Sequence, residues 1–87
     1  MLRLIAQTVQ GARAHGRWVG VCGGIAGDAL GAALLAGLGV SELSMTPRDI
    51  PAVKAKLRGV AFSALKALAE QALEAASAAE VRALELP

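Results

Sequence analysis

Arg17-Trp18-Val19-Gly20-Val21-Cys22-Gly23-Gly24-Ile25-Ala26-Gly27-Asp28 is the stretch on which the reading of the whole chain turns. An apolar run from Trp18 to Cys22 is cut by two glycines, and the chain then enters an Ala/Leu stretch opened by Asp28. Strand, tight turn and helix N-terminus follow each other in that order. The run is nearly continuous rather than alternating, so the spacing predicts a strand over Arg17 to Cys22 that is covered on both faces, as in parallel sheets. Cys22 is the only cysteine and stands where this strand ends. Ligands of α/β folds bind at the carboxyl ends of strands, which makes Cys22 the first candidate for chemistry. Its bland alternative is a small buried hydrophobe.

Working outward, Asp28 is placed to cap a helix running to about Ala36 and closed by Gly37 or Gly39. Val40 to Met45 reads as a second strand, and strand, helix, strand at this spacing is a parallel crossover unit. Before the first strand, Leu2, Ile5, Val9 and Ala12 recur at helical spacing up to His15-Gly16. His15 is expected to be solvated or to sit at the helix end, with no catalytic partner in view. After the second strand, Thr46 to Asp49 supplies turn and capping residues, and Pro51 to Arg58 forms a short helix ended by Gly59. Ser63 opens another helix with Leu65, Leu68, Ala69, Ala72 and Leu73 on one face. Ser77-Ala78-Ala79-Glu80 has capping-box spacing and predicts a last helix carrying Val81 and Leu84 to the C-terminus. The expected class is α/β, with two parallel strands and about five helices.

Composition bounds what such a unit does. The chain has 87 residues, of which 55% are hydrophobic but only 2% aromatic, namely Trp18 and Phe62. A domain this small buries only roughly 60% of its unfolded surface, and small side chains contribute little area each. Two parallel strands also leave both sheet edges unpaired. The chain is therefore expected to associate with copies of itself or to be one piece of something larger. A net charge of +2 carried by scattered basic residues argues against nucleic-acid binding. One cysteine forms no internal disulfide, and one Cys with one His makes no zinc set. With no signal-like start, a cytoplasmic setting is expected. Val19 to Val40 carries Asp28 as its only charge, but seven of the ten glycines interrupt it and its helical core is far below the roughly 20 residues of a membrane span.

The run Val19 to Asp28 resembles a known family, as do Leu34-Leu35-Ala36-Gly37-Leu38-Gly39-Val40-Ser41-Glu42-Leu43-Ser44-Met45, Ile50-Pro51-Ala52-Val53-Lys54 and the opening Leu2-Arg3-Leu4-Ile5. The family is phosphoenolpyruvate-protein phosphotransferase, enzyme I of the bacterial sugar phosphotransferase system, and the similar part is the C-terminal end of its phosphoenolpyruvate-binding domain. The resemblance implies a (β/α)8 barrel of which residues 1–87, a single fragment, supply the last two β/α units, incomplete as a stand-alone domain. It implies that Cys22 protonates enolpyruvate after the phosphoryl group has moved to a histidine of another domain. A thiol suits that task because its ordinary pKa, near about 8.5, lets it hold a proton at neutral pH and still surrender it to carbon. Gly23 and Gly24 would let the backbone approach the substrate. Gly24 stands where the commoner family pattern has glutamate, which is more like the enzyme I portions of fused multiphosphoryl transfer proteins. The resemblance further implies magnesium in the parent enzyme, bound by none of these residues, and a phosphocarrier protein as partner. The phosphate-gripping arginines and the phosphorylated histidine of the family have no counterpart here, so the fragment alone is expected to be inactive. The other reading is a free-standing, non-enzymatic α/β assembly or interaction module.

Overall fold

A computed structural model of the chain describes residues 1–84. In order they form α1 (Leu2–Ala14), β1 (Gly20–Cys22), α2 (Ala29–Gly37), β2 (Glu42–Ser44), a 3-10 turn (Pro47–Asp49), α3 (Ile50–Arg58), α4 (Phe62–Glu74) and α5 (Ala78–Arg82). The class is α/β, and the two strands pair in parallel with Gly20, Val21 and Cys22 opposite Glu42, Leu43 and Ser44. Among the described residues no helix is long and apolar enough to cross a membrane.

Helix α2 organises the packing. It carries no charge, and Gly31 to Leu35 and Gly37 are all buried, as expected of a helix that is apolar all round rather than on one stripe. On one side Leu35 joins Val9 of α1, Ala26 and Val40, with Val19, Val21 and Leu43 packed on them. On the other, Leu34 joins Leu68 and Ala72 of α4, with Leu2, Val81 and Leu84 against them. At Gly37 the approach of α4 is so close that a Cβ would collide with the Leu65 carbonyl. The side chain of Arg3 ties α1 to the end of α4, its Nε donating to the Leu73 carbonyl at 3.0 Å.

The helix ends follow from their residues. Asp28 caps α2, its Oδ2 accepting from the Gly31 N–H at 2.8 Å. Helices α1 and α2 both stop by the same device. Gly16 and Gly39 take φ of 66° and 98°, and the next residue's N–H, from Arg17 or Val40, returns to the carbonyl of Ala12 or Leu35. These are Schellman motifs, and each aims the chain straight into a strand. Ser77 accepts from the Glu80 N–H at 3.3 Å, while Glu80 reaches back to the Ala76 N–H at 2.6 Å. This is the expected capping box displaced by one residue.

Several expectations need correction. The strands are three residues each rather than Arg17 to Cys22 and Val40 to Met45, because a ladder extends only where both chains run alongside. Nor is the first strand covered on both faces: Gly20 and Cys22 are exposed, and Trp18 is 68% exposed, since helices pack on one side of the sheet only. Helix α3 starts at Ile50 after its 3-10 turn, and α4 at Phe62, with Ala61 as an N-cap that makes no side-chain bond. Helix α5 ends at Arg82, and residues 85–87, to which the last helix was expected to run, lie outside the described residues.

Candidate functional site

Side chains alternate across a strand, so the packing of Val21 and Leu43 against the helices fixes where their neighbours point. Gly20, Cys22, Glu42 and Ser44 occupy the opposite, open face, and all four are exposed. The indole of Trp18 lies over Gly20 on this face, where a Cβ would come within 3.3 Å of the ring.

Cys22 is a free, exposed thiol at the exit of β1. Gly23 then takes φ of 108°, a conformation that favours glycine, and three successive turns bring the chain round to Asp28. A Cβ added to Gly23 or Gly24 meets nothing within 4 Å, so neither position obstructs the space beyond the strand. That space is an open concavity of about 400 Å³ lined by Cys22, Gly23, Gly24, Ser44, Met45, Thr46 and Asp49. Its two walls touch: a Cβ on Gly27 would lie 2.9 Å from Asp49 Oδ2, so the turn after β1 rests on the turn after β2.

The structure thus brings Cys22, Gly23 and Gly24 together in one concavity where both strands finish. Asp28 is a helix cap. His15 sits at the end of α1, exposed, in the turn that enters β1, whereas Cys22 stands at the strand's exit. Among the described residues no three His, Cys, Asp or Glu side chains converge. Ser44, Thr46 and Asp49 are not site candidates in the sequence reading, which gives Thr46 to Asp49 turn and capping roles only. The signal that locates Ser44 is its register opposite Cys22, which exists only once the strands have paired.

The family described as "PEP-utilising enzyme, PEP-binding domain" matches residues 1–62. The chain belongs to this family. It is 71% identical over 85 residues to the multiphosphoryl transfer protein of Xanthomonas campestris pv. campestris, a match covering 98% of this chain and 10% of that protein. Multiphosphoryl transfer protein 1 of Escherichia coli K12 is 47% identical over 83 residues, covering 95% of this chain and 10% of the relative. The phosphoenolpyruvate-protein phosphotransferase of Haemophilus influenzae is 41% identical over 81 residues, covering 93% of this chain and 14% of its own length. The chain spans about a tenth of the length of the multiphosphoryl transfer proteins it matches.

Proposed function

We propose that residues 1–87 are the last two β/α units of a (β/α)8 barrel, one C-terminal piece of a phosphoenolpyruvate-binding domain, and that Cys22 is its proton donor. The observation that carries this reading is the exposed thiol at the strand exit, facing an open concavity behind two unobstructing glycines, in a chain of this family. The substrate would be phosphoenolpyruvate and the product pyruvate, with Gly23 and Gly24 against the ligand. The enolate left after phosphoryl transfer takes the Cys22 proton at its methylene carbon, and its oxygen becomes the carbonyl of pyruvate. The thiolate that remains is reprotonated from solvent. The phosphoryl group passes to a protein histidine and on to a phosphocarrier protein for sugar uptake.

Phosphoryl transfer rests on positioning and charge neutralisation. On this reading residues elsewhere in a complete enzyme grip the phosphate and hold the magnesium, and the chain alone is inactive. It is a cytoplasmic piece that associates with its own copies through the unpaired sheet edges.

A hybrid tests the assignment. The 85 aligned residues replace the matching segment of the Xanthomonas campestris relative, and phosphoenolpyruvate carrying tritium in one of its two methylene positions is turned over in deuterium oxide. The hybrid is expected to yield pyruvate with one handedness at the methyl group. Cys22→Ala should still accept the phosphoryl group but release enolpyruvate, which tautomerises in solution to a racemic product. A Cys22→Ala hybrid that keeps one handedness contradicts the role.

A further inference from the structure

We infer that Ser44 is a positioning residue for the Cys22 thiol, held ready by Glu42. This rests on the proposed role of Cys22 and adds a second residue to the same site. Three observations meet at Ser44. It is the register partner of Cys22 in the parallel ladder, so the two residues stand side by side on strands about 4.8 Å apart. Both belong to the open face, because Val21 and Leu43 occupy the helix side. Both also line the same concavity.

The hydroxyl of Ser44 is already oriented. Its Oγ donates to Glu42 Oε1 at 3.3 Å, across one pleat of the same strand and on the same face. That distance is long for an O–H donor, so the hydroxyl is aimed without being locked. With its hydrogen toward Glu42, Oγ keeps a lone pair for the S–H of Cys22; the two are not hydrogen-bonded among the described residues, and the bond forms when both side chains turn toward each other over bound substrate. When the thiol gives its proton to the methylene carbon of enolpyruvate, negative charge develops on sulfur. The Ser44 hydrogen then swings from the carboxylate to the thiolate, and a solvent proton later restores the thiol. Serine loses no proton at any point. A bond that strengthens as sulfur gains charge favours the transition state over the ground state. Running in reverse, the same bond holds the thiolate that removes a proton from the methyl group of pyruvate.

The test uses the hybrid described above, with deuterium entry into the methyl group of pyruvate followed by proton NMR. Ser44→Ala is expected to slow exchange about tenfold at saturating pyruvate, the loss of one hydrogen bond to the reacting group. KM should be unchanged. Ser44→Thr keeps the hydroxyl on a strand-compatible residue and should exchange within about twofold of the parent. Glu42→Ala, which frees the hydroxyl, should slow exchange about threefold. If Ser44→Ala exchanges at the parent rate, or Ser44→Thr is as slow as Ser44→Ala, Ser44 has no such role. Loss of exchange in Cys22→Ala beside an unaffected Ser44→Ala would overturn this inference while leaving the cysteine assignment intact; exchange persisting in Cys22→Ala would overturn the assignment itself.

Discussion

The two faces of the small sheet are built on opposite principles. On the helix side, Val19, Val21 and Leu43 press against Val9, Ala26, Leu35 and Val40, and nothing polar intervenes. On the open side, Gly20, Cys22, Glu42 and Ser44 expose a thiol, a carboxylate and a hydroxyl in a ladder three residues long. Burial is non-directional and scales with apolar area, so it holds the helix side together whatever the detailed chemistry. Reactive groups need access to ligand, and the alternation of side chains along β1 and β2 delivers them to the other side without disturbing the core. Stability and the proposed chemistry are thereby separated by the thickness of one strand.

That separation makes graded predictions for urea unfolding of the chain. Leu35, fully buried at the junction of α2 with the sheet, should cost about 3–4 kcal/mol when changed to alanine, through lost transfer energy and the cavity left behind. Gly37→Ala forces a methyl group into the Leu65 carbonyl and pushes α4 off α2, for about 2–3 kcal/mol. Asp28→Ala leaves the Gly31 N–H without its cap, for about 1 kcal/mol. On the open face, Trp18→Ala should change stability by less than about 0.5 kcal/mol, as surface substitutions do. In sedimentation, however, it should shift the chain toward smaller species, because the exposed indole is a large apolar group on the open face of the sheet. A Trp18→Ala variant as unstable as Leu35→Ala would mean that the open face also carries the fold.

The sequence made the helix side readable because its signals are local. Asp28, Gly16, Gly39 and Ser77 act within a few residues of themselves, and each forms a helix end at its expected place. Helix α2 was equally legible, since an uncharged Ala/Leu stretch has nowhere to go but inside. The open face was misread for a physical reason. Trp18 is apolar by chemistry, but burial depends on what lies opposite, and in this chain nothing packs over it. The strand lengths failed likewise, because a ladder is set by both partners. Cys22 and its glycines stand out in one dimension, whereas Ser44 becomes a neighbour of Cys22 only through tertiary pairing.

The most direct measurement is the rate at which solvent deuterium enters the methyl group of pyruvate on the hybrid enzyme carrying the 85 aligned residues, with Cys22 present and with Cys22→Ala. A thiol that works from the open face predicts exchange in the first and none above background in the second, at undiminished affinity for phosphoenolpyruvate. Equal rates in the two proteins would contradict it.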